Sequence, residues 1–227
     1  MKKTLIKEIF EWAGILAVAF VVAFFINNVI ITNSFIPTPS MESNLPVGSR
    51  LFGFRLNYLF TTPKRGDVVI FDYGFDCKNC KRMYQKNAES KCPHCDTPDK
   101  KNKKVHFIKR VIGLPGDHIE VKQDYLADTE LFRATRFEDT SIKVPCGHVY
   151  VNGEKLNEDY LNEPMIVNNF YRAVDYEIPE GCYFLLGDNR NNSEDARFWP
   201  NPFVSIKDIE AKAYFIYWPL NRAGIIK

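Results

Sequence analysis

The chain has no G-x-S-x-G elbow, and none of its four histidines stands in a recognisable motif. The strained strand-to-helix turn that presents a serine in α/β-hydrolases is therefore missing. His106, His118 or His148 can still complete a triad, because triads are assembled in space and not in sequence. An excess of charge of one sign is also missing, with 30 Lys/Arg against 28 Asp/Glu. A net charge of +2 over 227 residues gives no ground for a nucleic-acid partner. No segment repeats at a fixed spacing, and few stretches beyond residue 33 keep a helical period. With 45% hydrophobic and 26% charged residues, the composition is neither disordered nor collagen-like.

What is present begins with one long apolar run. "AGILAVAFVVAFFI" (Ala13 to Ile26) carries no charge, and residues 29–31 extend it past Asn27 and Asn28. Residues 12–32 are long enough for a helix to cross about 30 Å of hydrocarbon. Lys2, Lys3 and Lys7 precede the run, so the positive-inside rule keeps residues 1–11 in the cytoplasm and puts residues 33–227 outside. A removable secretory signal has the same charge order. The run is long for that, and its Ala-rich part lies inside it, not at its end.

Beyond the run the apolar stretches are short and turn residues dense. "DVVIF" (67–71), "VHFIKRVIG" (105–113), "HIEVK" (118–122), "HVYVNG" (148–153), "CYFLLG" (182–187) and "AKAYFIYW" (211–218) all read as strands. They combine β-branched and aromatic residues with bounding Gly, Asn or Asp. The fold expected is mainly β, with an antiparallel sheet and some open edges, behind one N-terminal transmembrane helix. A basic, apolar-poor stretch at 74–104 interrupts the pattern as an insert would. Residues 76–104 hold nine Lys/Arg against four Asp/Glu, so they carry +5 and the rest of the chain −3. The aromatic-rich "LFGFRLNYLF" (51–60) fits either a dip into the membrane interface or a buried strand and turn.

Ser40, in "IPTPSMESNL", follows the apolar run closely, and Pro37 and Pro39 stiffen its approach. A serine attacks a carbonyl only if a base takes its proton. Lys109, in "FIKRVIGLPGD", is one candidate base, flanked by Phe107, Ile108, Val111 and Ile112. Burial would lower its pKa toward the range useful for general-base work. On periodicity alone it reads as well as a strand lysine pointing at solvent.

Four stretches together resemble the ordered motif set of the bacterial type I signal peptidases. "PTPSMESNL" is similar to the nucleophile box, "RGDVVIF" to the strand after it, "KRVIGLPGD" to the lysine box and "GDNRNNSEDAR" to the C-terminal box. The resemblance implies that Ser40 is the nucleophile and Lys109 its general base. It implies that Ser193 helps orient the lysine amine, that Asp188, Asp195 and Arg197 brace the site, and that Thr38 assists the Ser40 amide in holding the oxyanion. Two positions depart from the pattern. Thr38 stands where many members have Ser or Gly, and Ala196 replaces a common serine. The implied activity is removal of signal peptides from exported preproteins, after small residues at the first and third positions before the cut. No cofactor is implied for catalysis. The implied setting is the cell membrane, with lipid and the secretion translocon close by.

The insert carries "DCKNCKRMYQKNAESKCPHCD", two Cys-x-x-Cys pairs with eleven residues between them. Cys77, Cys80, Cys92 and Cys95 have the spacing of two zinc knuckles, and four thiolates suit tetrahedral zinc. Two disulfides outside the cytoplasm, or a redox pair, are the competing readings. Cys146 and Cys182 lie apart from the cluster, and the sequence leaves their state open. An anchored zinc-ribbon binding module without catalysis is the alternative for the whole chain. It has no need of Ser40, Lys109 and "GDNRNNSEDAR" together. A self-cleaving serine–lysine protease related to transcriptional repressors is opposed by the anchor.

Overall fold

The structure is a computed structural model that describes residues 2–42, 44–132, 142–167 and 173–226. Helix α1 (Lys2–Phe25) continues through one π-turn, Ile26–Ile30, where the Asn28 side chain donates back to the Phe24 carbonyl at 2.8 Å. The span Phe10–Ile30 is long and apolar enough to cross a membrane, and its large side chains are exposed. Sequence alone placed the end of this span at 32. In the structure Ile31 and Thr32 are already paired with Phe54 and Gly53, so the sheet begins where the helix stops.

The strands follow in order: β1 (Ile31–Phe35), β2 (Arg50–Phe54), β3 (Val68–Asp76), β4 (Met83–Gln85), β5 (Lys103–Gly113), β6 (His118–Asp128) and β7 (Lys143–Val151). Then come β8 (Glu154–Lys155), β9 (Met165–Ile166), β10 (Val174–Glu177), β11 (Cys182–Leu186), β12 (Phe203–Ser205), β13 (Ile209–Trp218) and β14 (Gly224–Ile225). Among the described residues they form a nine-stranded sheet of path β1-β2-β13-β3-β5-β11-β12 and a five-stranded sheet centred on β6 and β7. Every pairing is antiparallel, as expected for short strands joined by dense turns. All six strands expected from sequence form. β3, β6 and β7 run longer than their apolar stretches, because hydrogen-bonded pairing carries polar residues along.

β3 is buried on both faces, which explains its unbroken apolar run. Val69 and Phe71 join a large core with Val111, Val149, Phe184 and Trp199. Val68 and Ile70 face a smaller one with Ile36, Met41, Leu45 and Leu51. The second core seats the Ser40 loop, since Met41 and Leu45 on one side and Ile36 on the other are buried. The stretch 51–60 divides. Leu51 is fully buried in β2, whereas Leu59 and Phe60 are among the most exposed apolar side chains of the chain.

The insert is continuous with the sheet. β3 and β5 stay paired out to Asp76 and Lys103, and β4 pairs with the far edge of β3. Gly74 permits this close crossing, since a Cβ there would stand 2.2 Å from the Tyr84 carbonyl oxygen. The Gln85 side chain and the Asn201 backbone exchange two hydrogen bonds, at 2.8 and 3.0 Å, which ties the insert to the domain.

Candidate active site

Ser40 lies in a single helical turn opened by Pro39, and Lys109 lies in β5 between Phe107 and Val111. Alternate strand residues share a face, so Lys109 is carried into the apolar side of the sheet with them. It is 4% exposed and not solvent-facing. Its Nζ is hydrogen-bonded to Ser40 Oγ at 2.6 Å. Desolvation is the largest influence on this amine and pulls it down to about 8; Arg197 pulls the same way, while Asp195, Asp188 and Glu194 oppose. The pair is therefore a buried nucleophile candidate touching a base candidate whose pKa suits neutral pH. Thr38 Oγ1 sits 3.4 Å from Ser40 Oγ.

The segment 187–197 clamps this pair from above. The Asn189 amide donates to the Ser40 carbonyl and its side chain to the Pro39 carbonyl, both at 3.0 Å. At Gly187 a Cβ would come within 2.5 Å of the Ser40 carbonyl oxygen and 2.2 Å of Ser193 Oγ. Only glycine lets the two loops approach so closely. Asp188 accepts two hydrogen bonds from Arg110, at 2.7 and 2.6 Å, and one from Asn44 at 2.7 Å. Asp195 accepts two from Arg197 at 2.8 and 2.9 Å and one from the Gly187 amide at 3.1 Å. These bidentate pairs are almost wholly buried, not surface pairs of small effect. Arg197 and its hydrogen bonds hold the Asp195 carboxyl below the usual range against its burial.

Ser193 is buried beside Gly187, but its hydroxyl has no hydrogen-bond partner among the described residues. A Ser193–Lys109 hydrogen bond is not among the described contacts. His106, His118 and His148 pair with Glu210, Asp175 and Asp124. Ser40 Oγ meets Lys109 and Thr38 instead. Sequence reasoning missed Arg110, Asn189, Gly187 and Asn44. Arg110 and Asn189 lie inside quoted motifs, yet charge and spacing do not reveal which carboxylate an arginine will meet. A third buried ion pair, Arg190 with Glu158, brings in a residue from a stretch with no motif.

Lys109 and Ser40 stand at one end of a groove of 980 Å³ whose walls are residues 32–41 and 103–109. A buried lysine thus touches a serine beside an open groove. Residues 9–132 and 137–218 match the model of the family described as "Signal peptidase, peptidase S26". The chain belongs to that family. It is a serine peptidase of the bacterial type I signal peptidase kind. It is 29% identical over 216 residues to the probable signal peptidase I-2 of Synechocystis sp., covering 95% of this chain and 76% of that relative. It is 30% identical over 190 residues to the signal peptidase I of Leptolyngbya laminosa, covering 84% and 70%. The signal peptidase IB of Staphylococcus aureus is 29% identical over 229 residues, covering 95% and 92%.

The peptidase also gathers Cys77, Cys80, Cys92 and Cys95 into one cluster able to hold a metal, with all four Sγ atoms within 4.8 Å of one another. The two knuckles are built alike. The residue after each second cysteine, Lys81 or Asp96, is left-handed and donates its amide to the carbonyl of the first, Cys77 or Cys92. Two Sγ contacts cross between knuckles, 3.5 Å for Cys77 to Cys95 and 3.6 Å for Cys80 to Cys92. Four thiolates bound to zinc at about 2.3 Å lie about 3.8 Å apart, so this donor set fits a tetrahedral ion. The Thr97 hydroxyl and amide pull the Cys95 thiol down to about 6. No disulfide joins any of the six cysteines in this structure; Cys146 is buried in β7 and Cys182 half-buried in β11.

Proposed function

We propose that the chain is a membrane-anchored endopeptidase that removes N-terminal signal peptides from exported preproteins by a Ser40–Lys109 dyad. The observation that carries this reading is the 2.6 Å contact between Ser40 Oγ and a lysine lowered to about 8 by burial. Neutral Lys109 takes the Ser40 proton as Oγ adds to the peptide carbonyl. The Ser40 amide and the Thr38 hydroxyl hold the oxyanion. Lys109 then passes that proton to the leaving amine, and the C–N bond breaks to leave an ester on Ser40. A water gives its proton to Lys109, attacks the ester and releases the signal peptide with a new carboxyl end. Ser40 recovers its proton from Lys109.

Asp188, Asp195 and Arg197 brace the loop over the dyad, and Ser193 stands beside it as a further support. Cleavage after small residues fits the apolar walls near Ser40, where Ile36, Ile70 and Ile108 line the groove. The apolar span is the anchor, and its preceding lysines put the N-terminus in the cytoplasm and the catalytic domain on the outer face. The dyad then works close to the outer membrane surface, beside lipid and the secretion translocon, where cleavage sites emerge. The four-cysteine insert holds a structural zinc ion, which would lock the two knuckles together; catalysis needs no cofactor. N-terminal sequencing of the product from a purified preprotein tests the reading. Wild type yields the mature N-terminus, whereas Ser40→Ala and Lys109→Met leave the preprotein intact. Normal cleavage by either variant contradicts the dyad.

A further inference from the structure

The groove does not end with the dyad. β1 and β5 run in the same direction across the sheet path, since four antiparallel pairings, β1 with β2, β2 with β13, β13 with β3 and β3 with β5, join them. Among the described strands, β1 pairs only with β2, and residues 103–109 of β5 pair only with β3. Both edges line the groove, so an extended chain between them can bond to both. Ser40 and Lys109 meet at one end, and therefore Thr32 and Lys103 mark the other. Thr32 lies two residues past the apolar span, so this far end is the one nearest the membrane. A substrate whose apolar segment precedes its cleavage site approaches from there.

At that far end the groove wall is made by the insert. Met83 of β4 pairs with Asp76 of β3, which pairs with Lys103 of β5, so the three are level across the sheet, and all three line the groove. Met83 is an apolar side chain left 45% exposed there, flanked by the charged Asp76 and Lys103. Directly behind it, Phe75 and Tyr84 pack against Cys77 and Cys92, and Gln85 is tied to Asn201. The wall is thus fixed on two sides. Lys103 is six residues before Lys109, about 20 Å along a strand at about 3.3 Å per residue.

We infer that the insert forms an outer specificity site, with Met83 receiving an apolar side chain about six residues upstream of the cut. This rests on the proposed peptidase function, with the substrate in extended form. Met is unbranched and adapts to varied partners, which suits a site that must accept many preproteins. Two peptide substrates with the same cleavage site separate the inference from the function it rests on. The long one carries leucine at the sixth upstream position, and the short one starts at the third. Full-length enzyme in detergent micelles cleaves both.

Met83→Asp raises KM for the long substrate about tenfold, as expected for loss of one apolar pocket contact, and leaves kcat unchanged. It does not change KM for the short substrate. Replacing the substrate's leucine by serine abolishes the difference between variant and wild type, and Met83→Leu behaves as wild type. An equal KM change for both substrates, or none for either, overturns the outer site and leaves the dyad standing. Failure of wild type to cleave either substrate overturns the function and the outer site with it.

Discussion

As the proposed base, Lys109 should set both the pH dependence and part of the stability of this enzyme, with effects of opposite sign. With its pKa at about 8, half of Lys109 is neutral at pH 8, about a tenth at pH 7 and about a hundredth at pH 6. kcat/KM for a peptide substrate is therefore expected to rise about tenfold per pH unit below 8 and to level off above about pH 9. An exposed lysine near 10.5 would keep the rate rising past pH 10. The same lowering burdens the folded state. Because the folded base binds its proton less well than the unfolded one, the burden is complete below pH 8 and vanishes as pH rises through 10.5. It amounts to roughly 3 kcal/mol at neutral pH. Lys109→Met, which fills the same space without a charge, should thus be inactive and yet more stable than wild type at pH 7. That advantage should shrink toward pH 10.5. Urea unfolding at several pH values, beside kcat/KM profiles, measures both. A rate still climbing tenfold per unit above pH 9, or a Lys109→Met variant less stable than wild type at pH 7, would refute the buried neutral base.

Three further outcomes follow from named contacts. Thr38→Val keeps the shape and removes a donor near Ser40, so kcat should fall about 100-fold with KM unchanged; an unaltered kcat would leave the oxyanion to the Ser40 amide alone. Asp188→Ala leaves the Arg110 guanidinium buried without its carboxylate and should cost about 3–5 kcal/mol in urea unfolding, while a change below 1 kcal/mol would show the pair to be dispensable. Purified protein should contain one zinc per chain and, once denatured and freed of metal, six titratable thiols. Two or fewer thiols without metal would mean disulfides in the insert, and chelation of a zinc-bound insert should lower the thermal midpoint.

Much of the fold was legible because strands here are short apolar runs between turn residues, and all six expected strands form. β1, β10 and β12 escaped notice because "ITNSF", "VDYE" and "FVS" alternate too little apolar content to stand out. The extension of β3 and β5 into the insert was hidden by its charge. Lysines at 103 and 104 read as loop, yet their backbones continue the ladder to Asp76 and Phe75. In the site, the resemblance supplied the residues, and the strand period alone left Lys109 undecided between solvent and core. What decided it is tertiary. The apolar neighbours Phe107 and Val111 turn that face inward, and the Ser40 loop covers it. The Arg110–Asp188 pair joins residues 78 apart in sequence, a distance at which charge patterning carries no information.

The central claim is that Ser40 forms the ester and Lys109 enables it. Acid quenching during turnover of a peptide ester, followed by mass spectrometry of proteolytic fragments, measures this most directly. The acyl group should appear on the fragment containing Ser40 in wild type, and be absent from Ser40→Ala and Lys109→Met. An adduct on any other residue, or unchanged acylation of Ser40 in Lys109→Met, would contradict the account.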